Sequence, residues 1–152
     1  MTKPEMAPLE RLAIVQACTE LVARFAHAID ARDNDALASM FVADGVFCRP
    51  TAPDDAVRGR ETIRARFAAR PAGKLTRHLC LNTVVTVLNA EEAQAVSYIL
   101  LYTGDHAEGA SLPIKADAKQ LLGAFHDRMV RDSDGVWKFR ERRGSLSMTI
   151  GA

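Results

Sequence analysis

Apolar residues recur every three or four positions near the start of the chain. Between Pro8 and about Ala31 they form one stripe, and this spacing is typical of an amphipathic helix with a single buried face. The stripe consists of Ile14, Cys18, Leu21, Val22, Phe25 and Ile29. The pattern predicts that this is the longest helix of the fold.

A shorter helix and a strand are predicted next. Asp33 is a good N-cap, because its carboxylate can accept a hydrogen bond from a free backbone amide of the first turn. Asp44-Gly45 would end this helix, and Val46 to Arg49 would form a short strand. The apolar side of the helix would be Leu37, Met40 and Phe41.

A third helix is expected from Gly59 to Arg70. Ile63 and Phe67 are spaced four residues apart, so they would lie on one face of it. Pro71 follows directly, and proline cannot continue a helix.

The second half of the chain has the pattern of strands. Most of the connections between its long alternating or β-branched runs are short enough for antiparallel neighbours, which predicts a meander. The longest connection, Gly104 to Ala118, would be a rim loop or a partner-contacting excursion. The predicted strands are Arg77 to Leu88, Ala93 to Thr103, Lys119 to Arg131 and Val136 to about Thr149.

Helices followed by a long-stranded sheet predict an α+β fold. The helices would pack on one face of a strongly curved, mostly antiparallel sheet, which gives a cone that encloses a pocket. We expect one domain from residue 8 to residue 148, preceded by an N-terminal tail at residues 1–7.

Composition and charge exclude some classes of function. The 152 residues are 48% hydrophobic and carry a net charge of +1, so bulk nucleic-acid binding is not expected. The basic residues near the C-terminus alternate with Trp137, Phe139 and Glu141, which predicts that most of them share the solvated face of a strand. The basic residues are Lys138, Arg140, Arg142 and Arg143.

The cysteines and the N-terminus suggest a compartment. Cys18, Cys48 and Cys80 are odd in number and widely spaced, which favours reduced thiols in a cytoplasm. Cys80 is interpreted as a small apolar filler rather than a nucleophile. The first residues form no apolar leader segment, and we expect no run of about eighteen apolar residues that could span a membrane.

The sequence lacks the motifs of several enzyme classes, and acid–base catalysis remains as the candidate chemistry. The sequence lacks HExxH, GxSxG and the glycine-rich loops that bind phosphates or dinucleotides. His78 lies in an apolar context on a predicted strand, and histidine moves protons well at neutral pH when a carboxylate orients it. Asp30, at the end of the first helix, is the candidate partner. The other histidines are expected to be exposed or at an interface: His27, His106 and His126.

The order of several short motifs resembles the SnoaL-like members of the NTF2-like superfamily. This group includes scytalone dehydratase, bile acid dehydratase and hexachlorocyclohexane dehydrochlorinase. The resemblance extends from about Pro8 to Ser147. It is carried by Phe25-Ala26-His27-Ala28-Ile29-Asp30, Asp44-Gly45-Val46, Gly59-Arg60-Glu61-Thr62-Ile63, Arg77-His78, Asn82 and Asp134-Gly135-Val136-Trp137-Lys138-Phe139.

The resemblance implies a cofactor-independent and metal-independent lyase or isomerase of the dehydratase kind. His78 would be the general base that removes a proton from a carbon acid, and Asp30 would orient it and stabilise its charge. The substrate would be a small apolar cyclic or polyketide-like molecule.

The implied substrate contacts depart from the family pattern. Phe25 and Phe47 stand where the catalytic relatives tend to carry tyrosines, so two hydroxyl donors are missing. Tyr98 and Tyr102 lie on the same strand face. They would replace the missing donors if this face lines the pocket, and otherwise they would lie at a dimer contact. Arg131 resembles the cation that assists a leaving group in a dehydrochlorinase.

One other interpretation stays open. The pair Asp30 and His78 would be purely structural in a non-catalytic binding or assembly module, similar to the small subunit of ring-hydroxylating dioxygenases. For either function, a homodimer is expected, because curved sheets of this class usually cover their outer face with another copy.

Overall fold

The computed structural model describes residues 6–151, so residues 1–5 of the expected N-terminal tail lie outside it. Within this range the chain forms three helices and six strands. In chain order they are α1 (Pro8–Ala31), α2 (Asn34–Ser39), β1 (Phe41–Cys48), β2 (Val57–Arg58), α3 (Arg60–Ala68), β3 (Lys74–Val87), β4 (Glu92–Asp105), β5 (Gln120–Arg131) and β6 (Trp137–Ile150).

The strands form one sheet in the order β2-β1-β6-β5-β4-β3. Strands β3 to β6 are the predicted antiparallel meander, and β1 joins it in parallel beside β6. Bulges interrupt the register within β3 and between β5 and β6, and a bulge bends and twists the strand that carries it. The predicted α+β fold class is confirmed.

Helix α1 packs across the sheet and supplies much of the core. By length and composition it is apolar enough to span a membrane, contrary to the expectation from the sequence. Eight of its residues are buried in this fold, so packing against the sheet accounts for its apolar face. All six phenylalanines of the chain meet at Phe25, whose ring contacts Phe41, Phe47, Phe67, Phe125 and Phe139.

The boundary after α2 differs from the prediction. Asp33 caps the helix as expected, with its carboxylate accepting a hydrogen bond from the Ala36 amide at 2.9 Å. The helix nevertheless ends at Ser39, and β1 runs from Phe41 through the expected stop at Asp44-Gly45. A register shift between Phe41 and Val46 absorbs those residues, because pairing with β6 outweighs the local turn signal.

The prediction that β6 has a solvated basic face is wrong for Arg142. Arg142 is fully buried, whereas Arg140 and Arg143 are exposed. Met129 pairs with Phe139, but Arg128 pairs with Glu141, so one extra residue is inserted on β6 at this point. A bulge of one residue moves every following side chain to the opposite face, and it therefore carries Arg142 into the interior.

Candidate active site

Asp30 and His78 meet at the junction of α1 and β3. The Asp30 Oδ1 atom lies 2.6 Å from Nδ1 of His78, and the His78 backbone amide donates to Oδ2 at 2.8 Å. The Thr76 hydroxyl donates to Oδ1 at 2.8 Å. Asp30 and His78 are each 13% exposed at the side chain, so the pair is shielded but not sealed.

The contacts around Asp30 determine its charge and the tautomer of His78. Burial disfavours the ionised carboxylate, but the hydrogen bonds from His78 and Thr76 outweigh burial and hold the pKa of Asp30 below its usual value of 3.8. An ionised carboxylate only accepts hydrogen bonds, so Nδ1 of His78 must carry the proton that it donates. Nε2 of the neutral ring is then left with a lone pair that can accept a proton.

His78 also lines a predominantly apolar cavity. The cavity has a volume of about 250 Å³ and lies between the sheet, α3 and the segment after β1. Its apolar wall consists of Ile29, Phe47, Pro50, Phe67, Ile99, Leu101, Leu121, Phe125 and Leu146. A second, more polar opening on the outer side of α1 also reaches Asp30 and His78, beside His27 and Arg77.

Phe25 and Phe47 have different positions with respect to this cavity. Phe47 lines it. Phe25 is 2% exposed at the centre of the aromatic cluster and lies behind the cavity wall. The hydroxyl groups in the lining belong to Thr51 and Thr76, and the Thr76 hydroxyl is already engaged by Asp30.

Tyr98 and Arg131 do not reach the cavity. Tyr98 alternates with the buried Ser97 and Ile99 on β4, so it points outwards and is 52% exposed. Tyr102 lies on the same face and is 39% exposed. Arg131 lies at the far end of β5, where its Nε donates to the Gly135 carbonyl at 3.1 Å. The expectation that these two residues contact substrate is corrected.

The remaining histidines and cysteines do not line the apolar cavity. His27 and His126 are exposed, and His106 is half-buried. Burial raises the pKa of the Cys80 thiol, which keeps it protonated, and raises that of Cys18 to about 12. Within residues 6–151, no three His, Cys, Asp or Glu side chains are grouped to hold a metal ion.

A buried ion pair beneath the site was missed by the sequence analysis. Nη1 of Arg142 donates to Oδ2 of Asp127 at 2.8 Å, and the guanidinium lies 4.0 to 4.7 Å from three ring centroids. Burial raises the pKa of Asp127 to about 6, against the effect of Arg142. Asp127 alternates with the exposed His126, and an acid on the apolar face of a strand is a signal that a cationic partner is needed.

Three arginines in the cavity lining were also missed. They are Arg49, Arg66 and Arg70, from the segment after β1 and from the C-terminal end of α3. Their positions depend on how α3 packs beside the sheet, which no periodicity within one element reveals.

The comparison with protein families identifies the chain. The model of the SnoaL-like domain matches residues 10–143. The chain belongs to the SnoaL-like family. A search of curated proteins finds no match.

Solved structures share the SnoaL-like fold over almost the whole chain. The type 2 hexachlorocyclohexane dehydrochlorinase LinA is 20% identical with a TM-score of 0.78, and the match covers 96% of this chain and 93% of that one. A scytalone dehydratase-like protein from Novosphingobium aromaticivorans is 21% identical with a TM-score of 0.76, covering 96% and 92%. ActVI-ORFA from Streptomyces coelicolor is 24% identical with a TM-score of 0.69, covering 87% and 96%.

These likenesses establish the NTF2-like fold of this SnoaL-like chain. The neighbours include a dehydratase-like protein and a dehydrochlorinase. At such low identity, the reaction of this chain must be argued from its own residues.

Proposed function

We propose that this protein is a cofactor-independent lyase of the dehydratase type, with His78 as general base and Asp30 as its positioning partner. The observation that carries the proposal is the 2.6 Å contact between Asp30 and Nδ1 of His78 at the wall of an apolar cavity. Small-molecule sites are typically apolar clefts with a few converging polar groups.

The reaction begins with a proton transfer from carbon. Nε2 of His78 removes a proton from the carbon beside a substrate carbonyl, and the electrons of that bond form a carbon–carbon double bond as a β-hydroxyl or β-halide leaves. A departing hydroxide takes the proton from the imidazolium and leaves as water. A departing halide leaves as the anion, and the imidazolium then gives its proton to solvent. Asp30 stabilises the imidazolium while it exists, since its carboxylate is held beside Nδ1.

The cavity favours a lyase over an assembly module. A purely structural Asp30–His78 pair would serve equally well in a cone filled by side chains. Instead, the pair lies beside a space of about 250 Å³, enough for a small cyclic molecule.

Hydrogen–deuterium exchange tests proton abstraction without knowledge of the natural leaving group. A panel of small cyclic ketones with β-hydroxyl or β-chloro substituents is incubated with the protein in D₂O, and loss of the α-proton is followed by NMR. We expect His78→Ala to slow exchange by about 10²- to 10⁴-fold, the usual contribution of a general base. We expect Asp30→Asn to slow it as well, because the amide cannot stabilise the imidazolium.

His126→Ala is the matched control, because His126 is exposed on β5 and lines neither the cavity nor the opening beside Asp30. It should leave exchange unchanged. Exchange that persists in His78→Ala at the wild-type rate would contradict the proposal, provided that circular dichroism shows an intact fold.

A further inference from the structure

The cavity beside His78 has an uneven distribution of charge. Its lining residues include Arg49, Arg66 and Arg70, and no Asp or Glu side chain of residues 6–151 lines it. The rest of the wall is almost entirely apolar. A cationic group in an apolar wall interacts strongly with an anion, because little water screens the interaction.

Arg70 is the least solvated of the three. Its Nη2 donates to the Ile29 carbonyl at 2.8 Å, and its guanidinium lies 5.5 Å from the Phe67 ring centroid. Its Nε atom is buried and has no hydrogen-bond partner among residues 6–151. The guanidinium of Arg70 therefore carries an incompletely hydrogen-bonded positive charge at the cavity wall, and this favours an anion beside it.

Arg66 and Arg49 share one carboxylate. Nη1 of Arg66 lies 2.8 Å from Oδ2 of Asp55, and Nη2 of Arg49 lies 3.9 Å from the same atom. Both arginines are about half exposed. Asp55 acts on these two arginines and the Asp30 carboxylate acts on Arg70, so three positive charges meet two negative ones and this side of the cavity retains an excess of positive charge.

We propose that the substrate has an apolar body bearing a carboxylate, and that the carboxylate binds Arg70 with the support of Arg66 and Arg49. The apolar body fills the space between Phe67 and His78. The planar guanidinium matches the geometry of a carboxylate, which makes arginine better suited to this contact than lysine. Deprotonation of the apolar part of this substrate by His78 rests on the proposed function. Recognition of its carboxylate by the arginines does not.

Paired probes of equal shape test the charge preference. Binding of 2-naphthoate and of its neutral amide, 2-naphthamide, is measured by calorimetry at low ionic strength. We expect the wild-type protein to bind the carboxylate about tenfold more tightly, the effect of one charge-assisted hydrogen bond. Arg70→Gln and Arg66→Gln should each reduce this preference without weakening the binding of the amide.

The control is Arg64→Gln. Arg64 lies on α3 with Arg66 but pairs with Glu61 and Asp35 away from the cavity. It should leave both affinities unchanged. Asp55→Asn tests the opposite direction, since removing the shared carboxylate should tighten the binding of 2-naphthoate alone.

His78→Ala separates this proposal from the proposed reaction. The variant should lose proton exchange and still prefer the carboxylate. Equal affinities of the wild-type protein for the two probes, or no binding of either, would overturn the proposal. It would also be overturned if Arg66→Gln and Asp55→Asn left the preference unchanged, even if Arg70→Gln failed to fold.

Discussion

Asp30 links α1 to β3 through three hydrogen bonds on one carboxylate. Its partners are the side chain and backbone of His78 and the hydroxyl of Thr76. One ionised group therefore orients the imidazole and also joins two elements of the fold. Its effects on catalysis and on stability can be separated by pH.

The stability contribution of Asp30 should depend on pH. Its pKa in the folded protein is lowered from 3.8, so the stabilisation is present above that pH and is lost as the pH falls through the lowered value. We expect Asp30→Asn to reduce the free energy of unfolding by about 1–3 kcal/mol near neutral pH, with a smaller loss in strong acid. Urea unfolding of both proteins near neutral pH and in strong acid measures the loss of stability. An equal loss under the two conditions would contradict the prediction.

Arg142 and Asp127 form a second polar pair, which is completely buried. Arg142→Met should lower the free energy of unfolding by about 3–5 kcal/mol, because it leaves an uncompensated buried carboxylate. Burial has raised the pKa of Asp127 above 3.8, so this variant should regain stability as the pH falls through that pKa and the carboxyl group becomes neutral.

The double variant Asp127→Leu with Arg142→Met supplies the control for this prediction. Removing both charges should restore much of the stability lost by Arg142→Met, since no charge then remains unpaired. Denaturant midpoints compare the two proteins. A double variant as unstable as the single one would show that packing around Arg142 matters more than its charge.

At the scale of elements, periodicity predicted the helices and the meander but not the irregular positions. The stripe from Ile14 to Ile29 and the alternation in β3 to β6 arise from local burial, which a sequence records directly. The bulge near Arg140 depends on pairing with β5, and the start of β1 depends on pairing with β6. Contacts between distant strands therefore explain both corrections.

Gly123 allows β5 and β6 to approach closely at their other bulge. A Cβ atom at this position would overlap the backbone carbonyl oxygen of Ser145. We expect Gly123→Ala to lower the free energy of unfolding by about 1–3 kcal/mol, the usual cost of overpacking. Thermal unfolding measures this against Ser147→Ala, an exposed position on β6, which should be neutral. A stable Gly123→Ala protein would contradict the expectation.

At the scale of the whole molecule, the candidate site was only partly predictable. Asp30 and His78 were identified through motifs that resemble a family, and their helix and strand were recognisable. The cavity arginines come from separate segments, so only the assembled fold brings them together. For Tyr98 the pocket and a dimer contact both stayed open, because strand alternation gives two faces without saying which one encloses the cavity. Arg131 was carried over from the resemblance alone, and it lies away from the cavity.

The outer face of β3 and β4 carries a band of exposed apolar side chains. We propose that a second copy of the chain covers it, since large exposed apolar patches mark interaction sites and closed pairs are the commonest assemblies. Tyr98→Glu should convert the dimer to a monomer in light scattering coupled to gel filtration. A wild-type monomer at micromolar concentration would contradict this. The band consists of Leu79, Leu81, Val84, Val96, Tyr98 and Tyr102.

The parallel pairing of β1 with β6 also has a consequence for synthesis on the ribosome. Helix α1 and strand β1 are made early, whereas their neighbour in the sheet is the last strand in chain order. The apolar face of α1 therefore leaves the ribosome before any sheet exists to cover it, a period in which chaperones protect nascent chains. When β6 emerges, β1 gains its partner in the sheet. The same strand brings the buried Arg142 and Leu146, which forms part of the cavity wall.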